Sequence, residues 1–391
     1  MRRGCKHKQR VLAVLSAFLL VMTLPAVPVK AEPSIGTPSA ILVEASTGRV
    51  IYEKNSTDRR SPASVTKIMT LLLTFEQIEA GKVKLTDDVL VSEHASGMGG
   101  SQVYLAQGEV QTLDTMIKCI AVSSGNDASV AVAEHIAGSE DAFVEMMNEK
   151  AAELGMKDTH FVDCCGLTDS DNHYSTAKDV AIMSRELITK HPAIFQYTMI
   201  WMEDITHVTK QGEIPFTLSS TNKLLKQYQY TTGLKTGSTS KAKFCMSATA
   251  NKDGLDMIAV VMGAETGTER FQDAQVLLNY GFSVSSLYVD THEEALPRLA
   301  VQRGVKTDVG LTYQGEFRYL DIEGNSLDNV EKVIELPESV NAPVSAGTQA
   351  GQVKYLLNGA QIGQVQILFA EGVAKATYRD YLKRAVGFFL L

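Results

Sequence analysis

The sequence predicts an α+β fold, a mostly antiparallel sheet backed by helices, followed by a small all-β domain. Three observations carry this. Runs rich in β-branched and aromatic residues pair off through tight turns, the pattern of hairpins rather than of crossovers. Long apolar stretches with helical punctuation lie between those hairpins. Beyond about residue 295 the texture changes to short strands and turns. At 391 residues and 45% hydrophobic content, the chain exceeds one typical domain and can fill a sizeable core.

The elements follow in order. "MRRGCKHKQRVLAVLSAFLLVMTLPAVPVKAEPS" has a basic run to Arg10, an apolar stretch from Val11, and small residues Val29 and Ala31 before Glu32. It reads as an export signal over residues 1–31, so the mature protein is expected to work outside the cytoplasm. Pro25 and Pro28 interrupt the apolar stretch, and no later one reaches the ~18 apolar residues of a membrane span. "SAILVEASTGRVIYEKN" is a hairpin around Ser46, Thr47 and Gly48. Pro62 then stops extended structure, and Ser64 opens a helix that ends near Gly81. Ile68, Met69, Leu71, Leu72, Leu73 and Phe75 wrap most of its circumference, which predicts burial on nearly all sides. "TLDTMIKCIAVS" and "NDASVAVAEHIAG" are two further helices joined tightly at "SSGN". "KTGSTSKAKFCMSATANKDGLDMIAVVMGAE" changes to strands, turning at Asp253 and Gly254. Residues 295–372 form the small all-β domain, with a strong hairpin signal at Asn358 and Gly359. In "ATYRDYLKRAVGFFLL", residues 376–391, Tyr378, Leu382, Ala385 and Phe389 share one helical face, with Arg379, Lys383 and Arg384 elsewhere. This suits a helix lying on a membrane surface, or a terminal helix packed on its own domain.

The formal net charge of -8 includes the basic leader, so the mature chain is more acidic still and nucleic acid is not an expected partner. Cys5 precedes the apolar stretch, the wrong side for a lipid-bearing cysteine. Cys119, Cys164, Cys165 and Cys245 remain, at spacings that match no metal site. Cys119 and Cys245 sit in apolar runs, where cysteine is a small buried hydrophobe. A bond between the neighbours Cys164 and Cys165 needs a strained backbone, and their redox state stays open. No metal and no cofactor are expected.

The chemistry starts from Ser-x-x-Lys, which occurs at Ser64, Ser175, Ser220, Ser238 and Ser240. Only Ser64 begins a long buried helix, with Lys67 on the same face near the positive end of the helix dipole. Burial and a second cation both favour a neutral amine, which can accept a proton from serine. Helix capping by Ser64 and a snorkelling Lys67 are the alternative. Ser-x-Asn occurs at Ser124, Ser170 and Ser220, and only Ser124 with Asn126 lies between two apolar helices, while Ser170 reads as loop. Lys235-Thr236-Gly237 appears once, read as lying immediately before a strand. Gly237 there lets a ligand approach the backbone, and Lys235 with Thr236 can hold an anionic group; an ordinary turn is the alternative.

"SVTK", "SGN" and "KTG" in this order are the motif set of penicillin-binding proteins and serine β-lactamases. "GNDASVAVAEHIAGS", "HFVDCCGLTDSDNHYSTA", "TNKLL", "GLKTGST" and an arginine followed by "LLNYGF" extend the match. On these stretches the chain resembles the serine-type D-alanyl-D-alanine carboxypeptidases of peptidase family S11, the low-molecular-mass penicillin-binding proteins, over nearly the whole mature chain. The resemblance implies a transpeptidase fold like that of penicillin-binding proteins and serine β-lactamases. The catalytic domain would occupy 32–288, the C-terminal β domain 295–372 and a membrane-associating helix 376–391. It implies removal of the terminal D-alanine from peptidoglycan stem pentapeptides in cell-wall maturation, at the outer face of the cytoplasmic membrane, with β-lactams as covalent inhibitors. Ser64 would be the nucleophile and Lys67 its general base, while Ser124 and Lys235 return a proton to the leaving amine. Asn126 would hold the substrate peptide, and the amides of Ser64 and Ser238, beside Gly237, would form the oxyanion hole. Thr236 and Arg270 would bind the terminal carboxylate. A serine β-lactamase and a catalytically inactive peptidoglycan-binding protein are the rival readings. The C-terminal domain and tail argue against the first, and the complete Ser64, Lys67, Ser124 and Lys235 set argues against the second. The chain departs from many relatives in "DCC" before Gly166, where an Asn-Pro pattern is expected, and in Ser238, where some members have histidine. No water-activating glutamate of the class A lactamase type can be placed.

Overall fold

The computed structural model describes residues 31–209 and 212–389, and the side chains to residue 386. The leader segment 1–30 lies outside the described residues, as does the side chain of Phe389.

Strand β1 (Ser39–Glu44) is buried at every position, because both faces of its sheet are covered. Alternation sends Ile41 and Val43 into one core and Ala40 and Leu42 into another. The turn after it places Gly48 at φ 73°, as the hairpin reading requires, and leads into β2 (Val50–Lys54). Helix α1 (Lys67–Glu79) is buried from Lys67 through Phe75, the all-round burial its apolar run predicts. Its start differs from the sequence reading. Ser64 lies in a 3-10 turn (Ala63–Thr66), and among the described residues no side chain caps either that turn or α1. The large core is completed by α2 (Leu113–Ala121), α3 (Asn126–Ala137), α4 (Glu140–Glu153) and α5 (Ala177–Lys190).

A protruding hairpin, β3 (Met202–Thr209) and β4 (Gly212–Ser219), precedes the rest of the main sheet. That sheet continues with β5 (Thr231–Thr239), β6 (Lys243–Lys252) and β7 (Leu255–Ala264), which turns from β6 at Asp253 and Gly254 as expected. The strand order is β2-β1-β7-β6-β5, antiparallel throughout, and β5 is an edge. Helix α6 (Gly267–Val284) covers the second face through Phe271, Ala274, Leu277 and Leu278.

The remainder is sheet structure with one last helix. Strand β8 (Ser286–Asp290) pairs with a strand from further along the chain, Phe317–Asp321. A four-stranded sheet contains β9 (Gln349–Leu357) and β10 (Ala360–Phe369), joined by Asn358 and Gly359 with φ of 52° and 81°, the two positive values a primed hairpin turn demands. Phe317, Val353, Tyr355 and Ile367 form its core. The final helix, α7 (Tyr378–Phe389), touches this region through Arg384 Nη2, which donates to the Gly304 carbonyl at 2.7 Å. Tyr378, Leu382 and Val386 stay exposed on it. Among the described residues no helix is long and apolar enough to cross a membrane. Among the described residues Cys119, Cys164, Cys165 and Cys245 are all buried free thiols.

Candidate active site

Gly237 explains how the site is put together. The Lys235-Thr236-Gly237 segment lies inside β5 rather than ahead of a strand, because the glycine and polar residues break the apolar pattern without breaking the ladder to β6. A Cβ at Gly237 would stand 2.8 Å from the Pro62 carbonyl oxygen and 2.9 Å from the amide nitrogens of Ser64 and Val65. What approaches the glycine backbone is therefore the turn that carries Ser64. On another side of that turn Gly166, at φ 75°, leaves no room for a side chain either, since its Cβ would fall 1.8 Å from the Ala63 carbonyl oxygen. The 3-10 turn is thus pressed between two glycines from distant parts of the chain.

Lys67 Nζ lies 3.1 Å from Ser64 Oγ and donates to Asn126 Oδ1 at 2.6 Å and to the Cys165 carbonyl at 2.8 Å. Its side chain is fully buried, and that burial pushes its ammonium below the ordinary lysine value; Asp163 and Asp127 act in the opposite sense without cancelling it. A neutral amine has two N–H bonds and one lone pair. Two carbonyl-type oxygens take the two N–H bonds here, which leaves the lone pair for the Ser64 hydroxyl. Capping and snorkelling are both excluded as descriptions of this pair, since Ser64 caps nothing and Lys67 does not reach solvent.

The second pair mirrors the first. Lys235 Nζ donates to Ser124 Oγ at 2.8 Å and to the Thr236 carbonyl at 3.1 Å. Burial lowers its basicity most, followed by the charges of Lys67 and Arg270. Ser124 is held at φ 62° in the tight connection between α2 and α3, which aims its hydroxyl at Lys235 instead of along the helix. Asn126, with Oδ1 on Lys67, donates from Nδ2 to the Gly99 carbonyl at 2.7 Å. Lys67, Asn126, Ser124 and Lys235 are buried, whereas Ser64 is half-buried and Ser238 exposed.

Thr236 Oγ1 pairs with Thr221 Oγ1 at 2.7 Å. Arg270 reaches back from α6 to donate through Nη1 to the carbonyls of Gly237 at 3.0 Å and Cys245 at 3.3 Å, and its guanidinium lies over Phe244 and Phe271. Among the described residues no carboxylate forms an ion pair with it, its Nε is buried without a partner, and burial disfavours its charge. A half-buried cation so placed at the end of β5 suits an anionic ligand.

The other motif copies have plain structural roles. Ser170 Oγ accepts from Asn172 N at 3.1 Å, a local loop turn, and Asn222 Nδ2 donates to the Gly233 carbonyl at 3.1 Å. Ser175 is buried against Thr159 at 2.8 Å. Sequence reasoning missed Asp163, whose carboxylate accepts from the amides of Cys165 at 2.9 Å and Thr168 at 2.8 Å and from that of Gly166. Burial opposes its charge, but His173 and these donors outweigh it and hold its pKa below the carboxylate norm. This carboxylate shapes the "DCC" segment so that the Cys165 carbonyl meets Lys67. The contribution is a backbone oxygen, so this contact does not draw on the side chains of the segment. Among the described residues no group of three or more potential ligands converges for a metal.

Residues 26–266 match the D-alanyl-D-alanine carboxypeptidase family, and residues 293–375 match the penicillin-binding protein 5 C-terminal domain. The chain is 40% identical over 354 residues to the D-alanyl-D-alanine carboxypeptidase DacF of Bacillus subtilis (strain 168), covering 89% of each. It is 31% identical to DacA of Escherichia coli (strain K12), over 90% of this chain and 88% of that protein. Penicillin-binding protein 5 from Haemophilus influenzae superposes with a TM-score of 0.75 at 29% identity, covering 88% of this chain and all of that one (100%). The S96A mutant of the Streptomyces K15 DD-transpeptidase superposes with a TM-score of 0.61 at 28% identity, covering 64% of this chain and 100% of that one. With the family matched over more than half its length, this chain belongs to the D-alanyl-D-alanine carboxypeptidases.

Proposed function

We propose that this protein is a serine DD-carboxypeptidase that removes the terminal D-alanine from peptidoglycan stem pentapeptides through an acyl-enzyme on Ser64, and that β-lactams acylate the same oxygen. The observation that carries this is the paired arrangement of two buried lysines, each bonded to its own serine. Ser64 Oγ attacks the carbonyl between the two D-alanines as its proton passes to Lys67 Nζ. The amides of Ser64 and Ser238, brought together by the contact at Gly237, take the oxyanion. The C–N bond breaks as Lys235, through Ser124 Oγ, protonates the leaving amine. D-alanine departs, and water then hydrolyses the ester. The substrate lies along the free edge of β5, with Asn126 beside its backbone and Thr236 and Arg270 at its terminal carboxylate. The catalytic domain spans 32–288, the β domain 295–372, and the protein acts after export through a leader ending at residue 31.

Mass spectrometry after incubation with a stem pentapeptide and with benzylpenicillin tests the reading. One alanine should leave the peptide, and one penicilloyl group should map to Ser64. An intact peptide, or a label on Ser124, Ser175 or Ser238, would overturn it. Arg270→Ala should cost ~1.5 to 3 kcal/mol on a substrate with a free carboxylate, the range for a charge-assisted bond, and little on its amide. Equal loss on both substrates would make Arg270 a support for β5 alone.

Residues 376–391 are proposed to rest on an anionic membrane surface. The exposed Tyr378, Leu382 and Ala385 of α7 support this, with Arg379 and Lys383 for headgroups, whereas Arg384 is engaged by Gly304. Removing 376–391 should abolish salt-sensitive sedimentation with anionic liposomes and spare hydrolysis of a soluble pentapeptide. Identical partitioning of both forms would rule the anchor out.

A further inference from the structure

Beside Asn126 the chain holds a feature that neither the core nor the reaction steps explain. Tyr104 lies at φ 61°, where a bulky residue is a genuine outlier, yet its ring is 72% exposed, so burial does not compensate for the strain. Asp127 enforces that conformation. Its carboxylate, 1% exposed, accepts from the amides of Val103 and Leu105, on either side of Tyr104, at 3.1 Å each, and from Ala128 N at 2.9 Å. Ser101 in the same loop accepts from the amide of Asn126 at 2.7 Å. The ring of Tyr104 is thereby fixed relative to the residue that lines the reacting end of the site. Strain retained at an exposed aromatic next to a catalytic cleft points to a ligand.

Phe216 of β4 packs edge to face against Tyr104 at 6.2 Å, and Phe216 in turn meets the ring of His207 on β3 at 5.2 Å, so the three rings form one continuous aromatic surface. These rings, with Gln107, Glu109 and the 48%-exposed Ile214, line a cavity of about 500 Å³. His207 is 6% exposed, its Nδ1 is 2.8 Å from Glu109 Oε1, and among the described residues its Nε2 is buried without a partner. Aromatic and aliphatic walls with an amide, an imidazole and a carboxylate, and no lysine or arginine among the described lining residues, suit a neutral pyranose. Its C–H face stacks on an exposed ring, and its hydroxyl and acetamido groups meet the polar side chains.

We propose that the cavity lined by Tyr104, Phe216 and Ile214 is a subsite for the N-acetylated sugar that carries the stem peptide, so that the enzyme reads the glycan end of its substrate as well as the D-alanine end. This rests on the carboxypeptidase reading. The test compares kcat/KM for a free stem pentapeptide with that for the same pentapeptide attached to its N-acetylglucosaminyl-N-acetylmuramyl disaccharide. The parent enzyme should favour the disaccharide form by about tenfold, the scale of one good stacking contact. Tyr104→Ala and, separately, Phe216→Ala, which removes the neighbouring ring from a different element, should each erase that preference. Equal rates on both substrates in the parent overturn the subsite alone. So does a Tyr104→Ala variant that loses the same factor on both, which would mean that the loop merely supports Asn126. Hydrolysis of neither substrate by the parent overturns the carboxypeptidase reading and the subsite with it.

Discussion

Lys67→Ala should slow acylation of Ser64 by benzylpenicillin by about a hundredfold or more, the usual scale for losing a general base. The protein should still fold, because α1 is held by Ile68 to Phe75 and does not depend on the amine. The pH dependence gives the sharper check. Burial lowers the Lys67 pKa, so the acylation rate of the parent should rise with pH through a limb lying below the ordinary lysine value of 10.5. Protonation on the acid side removes the lone pair that Ser64 needs. Because Lys235 is depressed as well and the two amines feel each other, the limb belongs to the pair. The alanine variant should lose that limb and keep only a slow background. If it acylates at the parent rate with the parent pH profile, Lys67 is a structural lysine.

Gly237→Ala should be nearly as damaging for a different reason. The new Cβ would sit 2.8 to 2.9 Å from backbone atoms of Pro62, Ser64 and Val65, none of which can rotate away as a flexible side chain could. Either β5 or the turn must shift by tenths of an ångström, which separates the amides of Ser64 and Ser238. Loss of one oxyanion-hole donor typically costs ~10² to 10³ in rate, and that is the expected fall in the acylation rate constant. The ladder between β5 and β6 survives, so thermal unfolding should change far less than acylation. A variant that acylates normally would show that the amide spacing does not depend on this contact.

Much of this architecture is written in side-chain periodicity. The hairpin at Gly48, the all-round burial of α1 and the turn at Asn358 and Gly359 follow from patterns that depend on few distant neighbours. The three motifs were legible from their flanks and their order, since Ser-x-x-Lys and Ser-x-Asn recur along the chain and only Lys-Thr-Gly occurs once. What the sequence did not disclose was supplied by backbone atoms. The Cys165 carbonyl on Lys67, the Asp163 carboxylate that shapes its segment and the Asp127 carboxylate that fixes Val103 and Leu105 leave no periodic trace. The placement of Lys235 inside β5, and of Ser64 in a 3-10 turn, went unread for a related reason. Propensity locates an element, whereas its ends are set by what packs against them.

The serine-bearing turn pressed between Gly166 and Gly237 also bears on when the molecule becomes reactive. Lys67 meets partners 59 and 98 residues away, and Lys235 meets Ser124 across 111 residues. No contiguous fragment shorter than most of the catalytic region holds all of these groups, so a chain still emerging, or one nicked and partly unravelled, has a serine but no nucleophile. Reactivity switches on only after the last of these long loops has closed. Covalent capture by a β-lactam then amounts to a census of closed catalytic regions.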